Sequence, residues 1–284
     1  AEAVSVTTMP EAEAALKRFG DGVVIKADRL AAGKGVTVCS TQAEALAALT
    51  DCLVAGRFGA AGSAALIEER MEGREVSYMG LCDGETFLAL PPSSDHKRLK
   101  DGDRGPNTGG MGVLAPPGDF DEALRARVEM EIVAPVLAGL KKDGLDFRGL
   151  LYCGLMLTKA GPKVLEFNTR FGDPETQTVL PLINADFLDI LDAAAKGRLT
   201  GRKLPWAGAA VCVVLASEGY PNAPVTGRDI AGLEQVSENE ALVFHAGTER
   251  YAAGTWRTRG GRVLSVVGRG GGAAAARAAA EDAA

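Results

Sequence analysis

The sequence VLEFNTRFGDPETQ, residues 164–177, alternates apolar and polar residues at its start. Such alternation is typical of a β-strand, whose side chains point by turns to opposite faces. Glu166 and Asn168 are therefore predicted to share one face of a strand, and Leu165 and Phe167 the other. This strand is the starting point for the chemistry of the chain.

The two polar residues of this strand carry the oxygen ligands that magnesium prefers. A carboxylate and an amide oxygen side by side can hold Mg²⁺, or Mn²⁺ in its place, and leave positions for water and phosphate oxygens. Glu166 and Asn168 are therefore candidate metal ligands, although a solvent-facing polar edge is the alternative. The metal interpretation is favoured because Arg170, on the same face if the strand continues, leads to Asp173 and Glu175 at a predicted helix start.

Length and composition define the class of protein. The chain has 284 residues, which predicts roughly two domains. Hydrophobic residues make up 46% and charged residues 24%, a balance typical of soluble globular proteins. The net charge of −6 argues against general nucleic-acid binding but leaves room for a small anionic ligand. No apolar run reaches the ~18 residues of a membrane span, and the first residues lack the pattern of a signal peptide.

The cysteine and histidine content narrows the chemistry further. The cysteines are widely spaced and odd in number, which argues against zinc ribbons, redox dithiols and disulfide frameworks and favours a reducing cytoplasm. They are Cys39, Cys52, Cys82, Cys153 and Cys212. The two histidines, His96 and His245, are too few for a histidine-rich metal site and weaken any hydrolase triad.

A glycine-rich loop between two predicted strands is a second candidate site. Lys26 lies at the end of the first strand, and the loop contains Gly33, Lys34 and Gly35. Two lysines can supply positive charge to a phosphate group while glycines let backbone N–H groups approach it. A Walker-type loop is excluded because Gly35 stands where that motif needs Ser or Thr. Taken alone, the pattern is more typical of an exposed turn with solvated lysines.

The third candidate is Asp95-His96-Lys97-Arg98, a dense group of ionisable residues. It lies in the longest stretch without periodicity, residues 91–118, which is expected to be a loop that is either functional or disordered. Without further context the group is typical of a solvated surface.

The remaining pattern predicts a mixture of helices and strands. An Asp-Gly turn at residues 83–84 between two alternating runs predicts one β-hairpin, and residues 149–158 and 163–168 predict another. A helix is expected over about 120–142, and a linker near residue 200 leads to a β-rich module with a marginal or frayed helix at its tail.

Six segments of the chain occur in the order and spacing found in one enzyme family. They are IKADRLAAGKGV (25–36), IEERMEGREVS (67–77), SSDHKR (93–98), GPNTGGMG (105–112), GLLYCGLML (149–157) and LEFNTRFGDPETQ (165–177). Together they resemble the phosphoribosylamine–glycine ligases, or glycinamide ribonucleotide synthetases, of the ATP-grasp superfamily. The likeness runs from about residue 7 to residue 268. The PNTGGMG and EFNTRFGDPETQ motifs are specific to this family, whereas the lysine loop and the acid–amide strand are general to ATP-grasp proteins.

The resemblance implies an α+β fold of the ATP-grasp type, in which two α+β lobes sandwich the nucleotide, followed by a small β-rich C-terminal domain. The implied boundaries are 1–70 for the small lobe or lid, 71–200 for the large lobe and 201–284 for the C-terminal domain. The implied reaction is the ATP-dependent ligation of glycine to 5-phosphoribosylamine through a glycyl phosphate. It belongs to de novo purine biosynthesis, uses Mg²⁺ or Mn²⁺ and takes place in the cytoplasm.

The resemblance also implies a role for individual residues. The phosphates, adenine and ribose of ATP would be bound by Lys26, Gly33, Lys34, Gly35, Glu68, Glu69, Met71 and Glu75. The metal would be bound by Glu166 and Asn168. The catalytic residues would be Asp95, Lys97 and Arg170, and the acceptor substrates would also meet Arg98, Asn107, Asp173 and Glu175.

The chain departs from the family pattern in three ways. The family's N-terminal domain is absent, so the chain resembles a fragment whose missing domain would be its partner, and an Ala/Gly-rich tail replaces the final segment. Arg29 stands where the family usually has glycine, and Arg70 where an aromatic residue is typical. The alternatives are another ATP-grasp carboxylate ligase, such as a purine-pathway carboxylase, and a catalytically silent nucleotide-binding fragment. A monomer or weak dimer without nucleic-acid or membrane partners is expected.

Overall fold

The computed structural model of the chain describes two compact units, which together comprise residues 1–29, 35–251 and 254–284. The first unit contains residues 1–73 and 158–163, and the second contains residues 74–157 and 164–284. Within the described ranges, every helix is too short or too polar to cross a membrane.

The first unit is a four-stranded antiparallel sheet with two helices. In chain order its elements are β1 (Ala3–Val6), α1 (Met9–Phe19), β2 (Val23–Ala27), β3 (Val36–Cys39), α2 (Gln42–Leu53) and β4 (Ala65–Glu69). The strand order is β1-β4-β2-β3. Val23 and Ile25 of β2 are buried in one apolar cluster with Leu49 of α2. The alternation of the strand therefore turns Lys26 to the opposite face.

The second unit begins with six strands and one long helix. The strands are β5 (Arg74–Asp83), β6 (Phe87–Ala89), β7 (Ser94–Asp95), β8 (Arg98–Lys100), β9 (Arg104–Asn107) and β10 (Gly112–Ala115). The helix predicted over about 120–142 is confirmed; it consists of α3 (Glu122–Val128), a π-helical turn (Glu129–Val133) and α4 (Ala134–Lys142). The next elements are β11 (Arg148–Thr158), β12 (Gly161–Asn168), α5 (Glu175–Val179) and α6 (Phe187–Ala195).

The rest of this unit is rich in strands, as predicted. Its elements are β13 (Ala209–Ala216), β14 (Asp229–Ile230), β15 (Ala241–His245), β16 (Thr248–Arg250), β17 (Trp256–Thr258), β18 (Arg262–Gly270) and α7 (Ala273–Ala283). The larger sheets have the orders β12-β11-β5-β6 and β15-β18-β13-β10-β7, and the smaller sheets are β14-β17-β16 and β8-β9. Both predicted hairpins, β5–β6 and β11–β12, are confirmed.

The pair β5–β11 forms the centre of the second unit. It is antiparallel from Arg74 opposite Leu157 to Asp83 opposite Arg148. One face of the pair packs on the long helix, through residues such as Tyr78. The other face joins a second apolar cluster that includes residues of α6 and of the five-stranded sheet. Because it is covered on both sides, β5 is a nearly continuous buried run.

The prediction of an irregular loop over residues 91–118 was wrong. This stretch contains β7, β8, β9 and β10, of which the shortest has two residues and the longest have four. Strands this short show no period of their own, and β10 pairs with β13, about a hundred residues later. For β10, pairing with a distant strand rather than local pattern determines the structure.

The tail was predicted as a marginal or frayed helix, but α7 is packed against β18. Ala276 and Ala280 are fully buried. Gly268 of β18 permits this approach, because a Cβ at that position would lie 2.2 Å from the carbonyl oxygen of Ala276. The small residues of the tail therefore serve close packing between a helix and a strand.

The five cysteines are all buried and unpaired. Burial raises the pKa of each thiol, because the thiolate loses its solvation in an apolar setting. The predicted division of the chain at residues 70 and 200 remains a prediction, and strands from both sides of residue 200 share the five-stranded sheet.

Gly268→Ala is expected to destabilise the second unit by about 1–3 kcal/mol, because the added methyl group would force α7 away from β18. The measurement is urea denaturation followed by circular dichroism. Gly271→Ala is the matched control, because a Cβ there meets no atom within 4 Å. Equal unfolding free energies for the two variants would contradict the packing of α7.

Candidate functional site

One face of the β12-β11-β5-β6 sheet changes from apolar to polar along its strands. Met79 and Leu81 of β5 lie in an apolar cluster. Ser77 and Glu75 precede them at the same two-residue period and so share their face. From β11, the hydroxyl oxygen of Tyr152 lies 2.6 Å from Oγ of Ser77. One face of β5 therefore continues from the hydrophobic core to a cluster of polar groups.

Glu75 forms an ion pair with Lys97, which follows β7. The Nζ of Lys97 lies 2.8 Å from Oε2 of Glu75. Burial lowers the pKa of Lys97, but the carboxylates of Glu75, Asp95 and Glu166 outweigh this effect and raise it overall. The ammonium group therefore stays charged at neutral pH. The structure thus brings together residues that the sequence assigned to nucleotide binding, to catalysis and to metal binding. They are Glu75, Asp95, Lys97 and Glu166.

Asp95, the last residue of β7, is a carboxyl group in a dehydrated setting. Burial raises the pKa of Asp95 to about 7, and the negative charges of Glu175 and Glu75 add to the shift. Among the residues that the structure describes, none forms a hydrogen bond with its Oδ1. Gly110 closes over this oxygen, because a Cβ there would lie only 2.7 Å from it. Asp95 can therefore gain or lose a proton near neutral pH.

Glu175 lies in the first turn of α5 and is only 4% exposed. Its Oε1 accepts a hydrogen bond of 2.7 Å from the hydroxyl of Tyr152 and lies 3.1 Å from Oγ of Ser77. Gly172 leaves room for the carboxylate, since a Cβ there would lie 2.5 Å from Oε2. This buried group fixes its two hydroxyl neighbours and offers little surface to a substrate.

The prediction that Glu166 and Asn168 share a face is confirmed. The Nδ2 of Asn168 donates a hydrogen bond of 3.1 Å to Oε1 of Glu166. The strand ends at Asn168, however, and Arg170 donates to the carbonyl oxygen of Phe171. The condition under which Arg170 would share this face, a strand that continues to residue 170, is therefore not met.

A carboxylate beside an amide oxygen fits a hard divalent cation. Within the described ranges, no group of three or more His, Cys, Asp or Glu residues is placed to hold a metal ion. Two protein ligands suit an ion of the Mg²⁺ type, which completes its coordination shell with water and substrate oxygens. The chemistry of Glu166 and Asn168 therefore makes them a candidate metal centre.

The other predicted acceptor residues lie in two local settings. Arg98 and Asn107 are opposite each other in the β8–β9 hairpin, and Arg98 donates a hydrogen bond of 2.8 Å to the carbonyl oxygen of Gly105. Asp173 lies in the turn before α5, where its carboxylate is 3.3 Å from the guanidinium of Arg262.

In the first unit, Lys26 is paired rather than freely solvated. Its Nζ lies 2.7 Å from Oε2 of Glu68, and both side chains are largely buried. The register of β2 against β4, with Val24 opposite Glu68, places the two residues diagonally on one face of the sheet. Two residues that the sequence assigned to nucleotide binding are therefore in direct contact.

The end of β4 carries a second ion pair. Glu69 accepts a hydrogen bond from Lys163, and this bond lowers the pKa of the Glu69 carboxyl. Met71 follows β4 and is half-buried. The guanidinium of Arg70 donates a hydrogen bond of 2.9 Å to Oγ of Ser40, so this arginine has a local partner.

The glycine loop is only partly described. The carbonyl oxygen of Gly35 accepts a hydrogen bond of 2.8 Å from the backbone N–H of Ala27, which closes the base of the loop. Gly33 and Lys34 lie outside the described residues, and their predicted role stays a prediction.

Sequence reasoning missed five residues, which are Ser77, Tyr152, Lys163, Tyr220 and Arg262. Tyr152 gave a signal, because its hydroxyl is conspicuous in the apolar run GLLYCGLML. Arg262 gave none, since it lies 89 residues after Asp173, to whose carbonyl it donates.

Two family models match the chain. The model described as phosphoribosylglycinamide synthetase, ATP-grasp (A) domain, matches residues 1–176. The model described as phosphoribosylglycinamide synthetase, C domain, matches residues 210–284.

Curated relatives and a solved structure indicate the same family as the two models. A phosphoribosylamine–glycine ligase of Phenylobacterium zucineum is 49% identical over 261 residues, which are 91% of this chain and 62% of the relative. A phosphoribosylamine–glycine ligase of Rhodopirellula baltica is 49% identical over 258 residues, which are 90% of this chain and 59% of the relative. The crystal structure of phosphoribosylamine–glycine ligase from Thermotoga maritima is similar at a TM-score of 0.90 and 36% identity, over 99% of this chain and 70% of that one. The chain spans about three-fifths of the length of these two curated relatives.

Asp95→Asn is expected to flatten the pH dependence of stability. Because the folded-state pKa of about 7 lies above the ordinary value of 3.8, folding favours the protonated carboxyl group. Its stabilising contribution is complete below about pH 4 and is lost as the pH rises through about 7. The unfolding free energy of the wild type should fall relative to that of Asp95→Asn by about 3 kcal/mol between about pH 5 and pH 8.

Urea denaturation at several pH values measures this difference. Asp101→Asn is the control, because Asp101 is an exposed carboxylate in the β8–β9 turn. Parallel pH profiles for Asp95→Asn and the wild type would show that Asp95 titrates normally.

Proposed function

The chain belongs to the phosphoribosylglycinamide synthetase family, and on this basis we propose that it carries the ATP-dependent ligation of glycine to 5-phosphoribosylamine. The products would be glycinamide ribonucleotide, ADP and phosphate, in de novo purine biosynthesis. The α+β ATP-grasp fold predicted from the sequence is confirmed.

The polar cluster around Lys97 is the observation that carries the proposal. Its ammonium pairs with Glu75 and lies within electrostatic reach of Glu166, one of the two candidate metal ligands. Phosphoryl transfer depends mainly on positioning and on neutralising charge at the transferring oxygens. A lysine of raised pKa near a carboxylate–amide pair supplies both the positioning and the neutralising charge, without a histidine base.

The proposed reaction has two steps. A carboxylate oxygen of glycine attacks the γ-phosphorus of ATP, and the bond from that phosphorus to the bridging oxygen breaks to release ADP. The amine nitrogen of 5-phosphoribosylamine then attacks the carbonyl carbon of glycyl phosphate, phosphate leaves, and the nitrogen loses a proton. Lys97 and Arg170 would balance the negative charge of the phosphoryl oxygens. Asp95, with a pKa of about 7, is matched to accept the proton near neutral pH.

The nucleotide and metal assignments are proposals of the same kind. Glu166 and Asn168 would hold Mg²⁺ or Mn²⁺, which when bound neutralises charge on phosphate oxygens. The phosphates would be bound by Lys26, Gly33, Lys34 and Gly35, the adenine by Glu68, Glu69 and Met71, and the ribose by Glu75. The ion pairs of Lys26 and Glu69 support these assignments, because they hold charged groups in fixed positions.

The acceptor side is proposed to use Arg98, Asn107, Asp173 and Glu175. Since Glu175 is buried, it would act by holding Tyr152 rather than by touching the substrate. We further propose that residues 1–70, 71–200 and 201–284 act as lid, large lobe and C-terminal domain. The remaining domain of the same enzyme would be a partner of this chain. A cytoplasmic monomer or weak dimer is proposed.

Glu166→Ala and Asn168→Ala are each expected to weaken Mg²⁺-dependent ATP binding by about tenfold or more, because each removes one of two hard oxygen ligands. Thermal stability should change little, since Glu166 is exposed at the end of its strand. Calorimetric titration of ATP with and without Mg²⁺, beside thermal unfolding, measures both quantities. Glu234→Ala, which removes another exposed carboxylate, is the control. Equal loss of binding and stability would indicate a structural role.

ADP release in the presence of 5-phosphoribosylamine is expected to be stimulated by glycine more than by other amino acids or bicarbonate. The measurement is a coupled assay of ADP with each candidate in turn. A preference for bicarbonate would indicate an ATP-grasp carboxylase instead. Absence of Mg²⁺-dependent ATP binding by calorimetry would leave the silent nucleotide-binding fragment without support as well.

A further inference from the structure

Arg262, the first residue of β18, joins two segments of the candidate site that are distant in sequence. Its Nη1 donates hydrogen bonds of 2.7 Å to the carbonyl oxygen of Gly109 and of 2.8 Å to that of Asp173. Its Nη2 lies 3.3 Å from the Asp173 carboxylate, and the side chain is only 22% exposed. One guanidinium group therefore holds the segment 105–112 beside the turn that precedes α5.

Gly109 is also held through its other backbone group. Its N–H donates a hydrogen bond of 3.0 Å to the hydroxyl oxygen of Tyr220. The ring of Tyr220 covers Gly261, where a Cβ would lie 2.3 Å from a ring carbon. Both polar backbone groups of Gly109 are thus satisfied by side chains from the segment that matches the C-domain model.

Gly109 and Gly110 are needed because side chains from other segments lie close to the backbone at both positions. A Cβ at position 109 would lie 3.0 Å from the guanidinium carbon of Arg262. Gly110 has a φ of +110°, and a Cβ there would meet Asp95 at 2.7 Å. The backbone therefore passes between Arg262 on one side and Asp95 on the other.

We infer that Arg262 and Tyr220 are positioning residues for the acceptor-substrate side of the site, an inference that rests on the proposed function. They hold the segment that carries Asn107 and the turn that carries Asp173. Arginine suits this role because its planar fork donates in several fixed directions at once, which lysine cannot do. A misplacement of about 1 Å can slow a reaction by roughly 100-fold, so such a clamp acts on catalysis without touching substrate.

A purely structural clamp would behave differently from a positioning clamp. Loss of a structural contact lowers stability and affects all substrates alike. Loss of a positioning contact raises the KM of the substrate whose residues it holds and leaves the binding of MgATP unchanged. The split between the two substrates therefore separates these roles.

The experiment measures KM for glycine and for MgATP, by ADP release, in Arg262→Met, Arg262→Lys and Tyr220→Phe. We expect Arg262→Met to raise the KM for glycine by about tenfold, with the KM for MgATP and the thermal midpoint little changed. Arg262→Lys should recover only part of the loss. Tyr220→Phe should have a smaller effect, and the double variant should show less than the sum because both residues hold Gly109.

Arg259→Met is the matched control. Arg259 lies three residues before Arg262, and its guanidinium is exposed and pairs with Glu249. Identical KM values for glycine in Arg262→Met and in Arg259→Met would overturn the inference. A loss of stability together with a parallel rise in both KM values would also overturn it, in favour of a structural clamp.

Hydrogen–deuterium exchange separates failure of this inference from failure of the proposed function. If the wild-type chain binds MgATP but does not ligate glycine, the proposed function fails. The clamp formed by Arg262 is then tested by hydrogen–deuterium exchange alone. Faster exchange in Arg262→Met, confined to residues 105–112 and 169–174, would support the clamp. Unchanged exchange in these two segments would overturn it.

Discussion

The antiparallel pairing of β5 with β11 is the constraint on which the second unit depends. Because side chains alternate along a strand, one register decides which residues meet the long helix and which enter the other core. The same register places Glu75, Ser77 and Tyr152 at the polar end of one face. A slip of one residue would exchange the faces and bury Glu75 beneath the helix. Core and candidate site are therefore specified by the same set of residue pairs.

The charges around Lys97 form one electrostatic system rather than separate ion pairs. The carboxylates of Glu75, Asp95, Glu166 and Glu175 act on a small volume in which Lys97 supplies positive charge. Burial is the main cause of the raised pKa of Asp95, and the neighbouring carboxylates add to it. The same excess of negative charge raises the pKa of Lys97 against the effect of its burial. A divalent cation or the ammonium group of an amino acid would relieve the same excess. A positive charge placed in this volume would therefore lower the pKa of Asp95.

The sequence was sufficient where structure follows from local pattern. The shared face of Glu166 and Asn168 follows from the strand period, and the long helix from its apolar spacing. The strands between residues 91 and 118 could not be predicted, because they have only two to four residues each and β10 pairs with a strand about a hundred residues later. Nor could the contacts of Arg262, whose own neighbourhood in the sequence contains nothing to mark it. The proposed roles of the site residues came from the resemblance to a family, since spacing alone left the lysine loop as an ordinary turn.

The burial of all five thiols has a practical consequence. Alkylating reagents attack the thiolate, and these sulfurs combine a high pKa with closed access, so they react slowly. A cysteine introduced at an exposed position would therefore be labelled selectively in the otherwise unaltered chain. Fluorophores or spin labels could be attached at chosen points without first removing the native sulfur atoms from the core.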